Sequence, residues 1–161
     1  MMRRKRFRHG FCAPATSRST AHTMSKTLVH TVKIPIRWGD MDAMGHVNNT
    51  VYFRFMEEAR TQWYDSQGIN DNGPALPPRT GPVIVNASCT FLRPLKYPGI
   101  VEVRLYLAEP GRSSVLTLYE MRPDYEADVL CAEGSAKALW IDMDAEKSIP
   151  LPEVVRRRIV T

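Results

Sequence analysis

The first clear pattern along the chain is an alternation of apolar and polar residues over residues 32–38. Its apolar positions are Val32, Ile34, Ile36 and Trp38. A period of two is typical of a β-strand with one buried face, so we predict the first strand here, with all four apolar side chains on that face. Pro35 has no amide hydrogen to donate to a neighbouring strand. We therefore expect this strand to lie at an edge or an irregularity of a sheet.

A helical pattern follows, after a loop that contains Gly45. Its apolar residues recur at intervals of three and four: Val51, Tyr52, Phe55, Met56, Ala59 and Trp63. Asn48 and Asn49 precede this pattern, and their side chains can cap the free amides of a helix start. Gly68 is typical of a helix end. The pattern predicts one long amphipathic helix that ends near Gly68.

Four more strand-like stretches follow the helix, after a proline-rich loop at residues 69–81. Turn sequences separate them, and they cover residues 82–93, 100–109, 113–122 and 128–141. We expect these four strands to form an antiparallel meander, and a short helix at residues 151–160 to close the chain. One strand, a long helix and four strands predict an α+β fold in which a five-stranded antiparallel sheet wraps around the helix.

Charge divides the chain of 161 residues into two parts. Residues 1–26 hold seven of the 22 Lys and Arg residues and no acidic residue, which leaves 15 basic against 17 acidic residues in residues 27–161. We predict a disordered basic head at residues 1–26, as an extended or misassigned start ahead of Met24, and one domain at residues 27–161. The domain offers no broad surface to neutralise phosphates, so we expect no nucleic-acid partner.

Two further features of the sequence bear on where in the cell the protein is expected. No stretch approaches the roughly 20 apolar residues that a membrane-spanning helix needs, so we expect no membrane partner. Three cysteines are an odd number without metal-ligand spacing, which argues against a disulfide framework and a zinc site. We expect a cytoplasmic protein in which Cys89 and Cys131 are small buried residues inside strands.

The candidate chemistry lies in residues 40–49, between the first strand and the helix. A calcium loop is one alternative, but Met44 and Val51 stand where that loop needs oxygen ligands. A structural role is another, and we expect Asp40 to accept local backbone amides. The third is catalysis, because a carboxylate would stand beside free helix amides that can stabilise an oxyanion.

The residues in and after this segment resemble those of hot-dog acyl-CoA thioesterases related to 4-hydroxybenzoyl-CoA thioesterase. The resemblance covers residues 30–160 and rests on Trp38-Gly-Asp-Met-Asp42, Gly45-His-Val-Asn-Asn49, Tyr52, Glu57-Glu-Ala-Arg60 and Phe91-Leu-Arg-Pro-Leu-Lys-Tyr-Pro-Gly99. It implies a hot-dog fold, Asp42 as nucleophile or general base, and the Asn49 amide as the group that polarises the thioester carbonyl. It also implies a homodimer or homotetramer and no cofactor beyond the CoA of the substrate.

A second resemblance, to plant acyl-carrier-protein thioesterases, aligns Asp42 and His46 but has Asn where this chain has Met44. His46 is therefore a secondary candidate. Another branch of hot-dog thioesterases uses a helical Glu, which makes Glu57 and Glu58 rival bases. The remaining alternatives are a hot-dog dehydratase and a non-catalytic module that binds acyl groups or CoA.

The expected substrate is an acyl thioester of CoA or of acyl-carrier protein. Because CoA carries phosphates, basic side chains near the end of the sheet should bind it, and the candidates are Arg93, Lys96 and Arg112. Tyr52, at the start of the helix, should border the acyl pocket according to the resemblance.

Overall fold

The chain forms one strand, a long helix, a run of strands and a short final helix, in the order that the sequence predicts, with one additional short strand. The structure, a computed structural model, describes residues 25–69 and 76–159. In these residues the elements are β1 (Thr27–Ile36), α1 (Asn49–Ser66), β2 (Thr80–Phe91), β3 (Gly99–Ala108), β4 (Ser114–Pro123), β5 (Ala132–Asp142), β6 (Lys147–Ser148) and α2 (Glu153–Arg156). The predicted basic head lies outside the described residues up to residue 24, as do residues 70–75 of the predicted loop.

α1 is the long helix that the period of three to four residues predicts. Its start is capped by Asn48, whose side chain accepts a hydrogen bond from the amide of Thr50. Gly68, with φ of +66°, follows its end in a conformation that glycine adopts easily. The buried side chains of α1 lie along one stripe: Tyr52, Phe55, Met56, Ala59, Trp63 and Tyr64. This stripe packs against the sheet.

All strand pairs are antiparallel, and five strands follow the order β1–β3–β4–β5–β2 across the sheet, with β6 paired to β5. The expected edge position of β1, with Pro35, is confirmed. The predicted four-strand meander is correct for β3, β4 and β5 and wrong for β2, which pairs with β5 at the opposite edge. Local periodicity identifies a strand, but its neighbours depend on which edge the chain reaches after the helix.

Several element limits differ from the predictions. β1 begins at Thr27 and ends at Ile36, so Trp38 is not on its buried face. Trp38 lies in a 3-10 turn and its side chain is 79% exposed, because the chain turns away from the sheet after Ile36. β5 begins at Ala132 and not at residue 128, because residues 127–131 continue the connection that follows a second 3-10 turn at residues 124–126. α2 is shorter than the predicted helix at residues 151–160, of which residue 160 lies outside the described residues.

The core lies between α1 and the inner face of the sheet. β3 contributes a continuous row of buried side chains, which are Val101, Val103, Leu105 and Leu107. β5 contributes three buried alanines and the large side chain of Trp140. Gly134 lets α1 approach closely, because a Cβ added there would lie 2.6 Å from the sulfur of Met56. This contact sets how near α1 lies to the sheet.

The two cysteines of the described residues are free thiols. Cys131 is buried just before β5, and Cys89 is half-buried within β2. In the part of the chain that the structure covers, every helix is too short or too polar to cross a membrane.

Candidate active site

Asp40 lies in the loop between β1 and α1 and is buried, with 6% of its surface exposed. Its Oδ2 accepts a hydrogen bond from the amide of Arg37 at 2.8 Å. Its Oδ1 forms an ion pair with Nη2 of Arg54, on α1, at 2.6 Å. As predicted, Asp40 accepts a local backbone amide, and both of its oxygens have partners.

Asp42 lies in the tight turn at the tip of this loop. Its Oδ1 accepts hydrogen bonds from the amides of Met44, at 2.8 Å, and His46, at 3.2 Å. Its carbonyl accepts a hydrogen bond from the amide of Gly45, whose φ of +76° suits glycine. One oxygen of Asp42 therefore has a structural role in this turn. Among the described residues, Oδ2 of Asp42 has no hydrogen-bond partner, so one carboxylate oxygen is available for chemistry.

The start of α1 supplies the second group of the site. Asn48 satisfies two of the first amides of the helix, because its side chain accepts from Thr50 and its carbonyl accepts from Val51. Within the described chain, the amide of Asn49 has no such partner. A free amide at the positive end of a helix dipole can stabilise a developing negative charge.

These two groups open onto one cleft of about 300 Å³. The cleft lies between the loop, the start of α1 and the segment that follows β2. Its lining consists of Asp42, His46, Val47, Asn49, Tyr52, Phe91, Leu92, Arg93 and Pro94. Five of the seven predicted site residues therefore meet in one place: Asp42, His46, Asn49, Tyr52 and Arg93.

Tyr52 forms the floor of this cleft. It is 2% exposed, and its hydroxyl oxygen accepts a hydrogen bond from the amide of Leu95 at 3.1 Å. Burial raises the pKa of the Tyr52 hydroxyl, so this group stays protonated near neutral pH. Its ring meets the ring of Phe91 edge to face, with centroids 5.0 Å apart.

Two predicted substrate-binding residues do not line the cleft. Lys96 is exposed in the segment after β2, and its backbone amide donates to the hydroxyl of Tyr125 at 3.1 Å. Arg112 lies in the turn between β3 and β4, whereas the end of β3 beside the loop is Gly99, which pairs with Ile36. A strand rises about 3.3 Å per residue, so roughly 30 Å of β3 separates Arg112 from that end.

Other residues of the cleft were not predicted as site residues. Phe91, Leu92 and Pro94 flank Arg93 in the motif that carried the family resemblance, so proximity in sequence was the available signal. A second surface cleft, of about 660 Å³, lies on the other side of Asp42 and includes Trp38 and Tyr97. The alternation with the residues of β1 predicts a core position for Trp38, which its exposure contradicts.

The rival bases Glu57 and Glu58 are exposed on α1 and do not line the cleft of Asp42 in the described structure. Oε1 of Glu58 accepts a hydrogen bond from Gln62, one turn later, at 2.8 Å. This arrangement is typical of a solvated helix face.

Comparison with known proteins identifies the family. The sequence profile of the thioesterase-like superfamily matches residues 36–159. The chain belongs to the thioesterase-like superfamily. The hot-dog thioesterase family and fold that the motifs predicted are therefore confirmed.

Three similar proteins illustrate the range of this superfamily. The PA2801 protein of Pseudomonas aeruginosa, named as a candidate thioesterase, is 38% identical; the match covers 83% of this chain and 99% of that protein, with a TM-score of 0.76. XC229 of Xanthomonas campestris, named as a candidate acyl-CoA thioesterase, is 36% identical over 71% of this chain and 94% of that protein, with a TM-score of 0.62. The chloroplastic acyl-acyl carrier protein thioesterase ATL2 of Arabidopsis thaliana is 28% identical over 70% of this chain and 59% of its own length.

For a member of the thioesterase-like superfamily, the cleft offers two chemically distinct groups. The Asp42 carboxylate can attack a carbonyl carbon or remove a proton from water. The Asn49 amide can donate to the oxygen of the same carbonyl. Among the residues described, no cluster of three or more His, Cys, Asp or Glu side chains is placed to hold a metal ion.

Proposed function

We propose that this protein is an acyl-CoA thioesterase whose catalytic carboxylate is Asp42. The observation that carries the proposal is the cleft in which the free Oδ2 of Asp42 and the free amide of Asn49 occur together. Membership of the thioesterase-like superfamily supports a thioester as the substrate.

In the proposed reaction, the thioester carbonyl oxygen accepts a hydrogen bond from the Asn49 amide. Asp42 then attacks the carbonyl carbon or removes a proton from an attacking water. Negative charge builds up on the carbonyl oxygen, where the amide and the helix dipole stabilise it. The tetrahedral intermediate collapses with loss of the CoA thiolate, which takes up a proton. If Asp42 attacks directly, water hydrolyses the resulting anhydride and restores the carboxylate.

The other predicted residues have subsidiary roles in this proposal. His46 lines the same cleft and acts as a supporting polar group, so His46→Ala should lower kcat less than a change at Asp42. Arg93 stands at the cleft and is exposed, which suits a contact with CoA phosphates. XC229 is named for acyl-CoA and ATL2 for acyl-carrier protein, so both thioesters are substrates to compare.

We further propose that the protein is a homodimer, or a homotetramer built from dimers, that pairs through β2. β2 is an edge strand, and its exposed residues include Ile84, Val85 and Phe91, at 39%, 54% and 47% exposure. An exposed apolar edge strand is a surface for pairing with another chain. Light scattering of the wild type and of Val85→Lys tests this: a wild-type monomer would contradict the pairing.

Release of free thiol from a panel of short, long and aromatic acyl-CoA substrates tests the activity. Asp42→Asn removes the base but keeps an oxygen for the two turn amides. We expect it to lower kcat/KM by about 10²–10⁴-fold, the usual contribution of a general base. Glu57→Gln is the matched control, because Glu57 is an exposed carboxylate on α1, and it should keep wild-type activity.

Three outcomes would contradict the proposal. Near-normal thiol release by Asp42→Asn would remove Asp42 from the chemistry. Binding of acyl-CoA by the wild type without thiol release would indicate a non-catalytic module, and hydration of an enoyl thioester without thiol release would indicate a dehydratase.

A further inference from the structure

Asp40 joins three parts of the site that are separate in sequence. Its Oδ2 accepts from the amide of Arg37, where β1 ends, at 2.8 Å. Its carbonyl accepts from the amide of Asn48, the cap of α1, at 2.9 Å. Its Oδ1 pairs with Arg54, within α1, at 2.6 Å. We call these contacts the Asp40 clamp.

We propose that Asp40 and Arg54 are positioning residues. They hold the Asp42 carboxylate and the Asn49 amide in the relative position that lets both act on one thioester carbonyl. This inference rests on the proposed function. Asp40 does not line the cleft in the described structure, so it would act through the loop and the helix start instead of touching the substrate.

The Asp40 clamp is connected to both reacting groups, Asp42 and Asn49, by short segments of backbone. Asp42 is two residues from Asp40, and Asn49 directly follows Asn48. The loop is also closed above the clamp, by a bridge between Met41 and Val47 and by the hydrogen bond from the Asp42 amide to the His46 carbonyl at 2.7 Å. A movement at the clamp therefore passes to Asp42 and Asn49 with few bonds free to absorb it.

The ion pair fixes the helix side of the clamp. Arg54 follows Asn49 by five residues, about one and a half turns of a rigid helix. The side chain of Asp40 is 8% exposed and that of Arg54 is 43% exposed. Because the carboxylate is withdrawn from water, it depends on the guanidinium of Arg54 for charge compensation. Loss of Arg54 would leave the buried Asp40 carboxylate without its ion-pair partner. The loop would then move so that this carboxylate reaches water.

The experiment compares Asp40→Asn, Arg54→Gln, Arg54→Lys and the double variant Asp40→Asn/Arg54→Gln with the wild type and Asp42→Asn. Thiol release from a short acyl-CoA gives kcat and KM, and thermal unfolding gives the midpoint temperature. Arg104→Gln is the control, because Arg104 forms a comparable ion pair with Glu102, at 2.8 Å, away from the cleft.

We expect Asp40→Asn and Arg54→Gln each to lower kcat by up to about 10²-fold, as expected for misplaced reacting groups, with KM nearly unchanged. The double variant should be no worse than the more damaging single variant, because the two residues act as one unit. Arg54→Lys should restore most of kcat, since it keeps the charge. Arg104→Gln should keep wild-type kcat even if its unfolding temperature falls.

Wild-type kcat in Arg54→Gln would overturn the inference, and so would a loss of kcat no greater than the loss of folded protein. If Asp40→Asn does not fold, the two variants at the partly exposed Arg54 decide. A wild type without thiol release, or an active Asp42→Asn, would overturn the proposed function and this inference together. An active wild type, an inactive Asp42→Asn and an unaffected Arg54→Gln would overturn the inference alone.

Discussion

The hydroxyl oxygen of Tyr52 accepts a hydrogen bond from the backbone amide of Leu95 at 3.1 Å, which joins α1 to the segment that walls the cleft. Both residues are buried, at 2% and 0% exposure. Tyr52→Phe would leave the Leu95 amide without an acceptor and without water. We expect the free energy of unfolding to fall by about 1–3 kcal/mol, measured by denaturant titration.

Tyr125→Phe is the matched control for that loss. The Tyr125 hydroxyl accepts from the amide of Lys96 at the same distance of 3.1 Å, but Tyr125 is 47% exposed. Water can take the place of the lost hydroxyl there, so the loss should be smaller. Equal losses at the two positions would show that burial does not determine the strength of the Tyr52 contact.

Gly134→Ala should destabilise the contact between α1 and β5. The added Cβ would lie 2.6 Å from the sulfur of Met56, which is itself 1% exposed and has little space to move. Overpacking of this kind costs about 1–3 kcal/mol in the free energy of unfolding, which denaturant titration measures. Gly39→Ala serves as the control, because a Cβ there meets no atom within 4 Å. An unchanged stability in Gly134→Ala would show that the helix can shift at no cost.

Arg93→Ala should weaken the binding of CoA substrates. Arg93 lies at the cleft, where its guanidinium can pair with a phosphate of CoA. We expect KM to rise for an acyl-CoA and to stay unchanged for the corresponding acyl-pantetheine, which lacks those phosphates. Steady-state kinetics with both substrates measures this difference. An equal rise for both would assign Arg93 to the acyl or pantetheine part instead.

Arg112→Ala is the companion variant, because Arg112 lies beyond the opposite end of β3 from the cleft of its own chain. We expect its KM for acyl-CoA to match the wild type. A raised KM would place Arg112 near the substrate through a second copy of the chain, which would restore the role that the sequence predicted.

The thiols of Cys89 and Cys131 should react slowly in the native protein. Burial raises the pKa of the Cys89 thiol to about 11, and it also raises the pKa of the Cys131 thiol. Since the thiolate is the reactive form, alkylation of Cys89 at pH 8 should be roughly a hundredfold slower than in the unfolded chain. Mass spectrometry of a Cys12→Ser variant, with and without denaturant, measures the two rates. Rapid labelling of native Cys89 would contradict its burial.

Much of this protein follows from the sequence alone, because periodicity and capping act over a few neighbouring residues. The helical spacing and the Asn48 cap determine α1, and the alternation from Val32 to Ile36 determines which side chains of β1 face the helix. The motif that ends at Asn49 also located the cleft, since a strand end, a tight turn and a helix start that adjoin in sequence must adjoin in space.

Only the tertiary structure decided the remaining points, because they depend on contacts between distant residues. The place of β2 beside β5 follows from the edge that the chain reaches after α1. The separation of Arg93 from Arg112 depends on which end of the sheet each turn occupies. The pairing of Asp40 with Arg54 joins a loop to a helix across 14 residues, and no local pattern predicts it. The family resemblance pointed to Asp42 and Asn49, and the folded chain brings both residues onto the lining of one cleft.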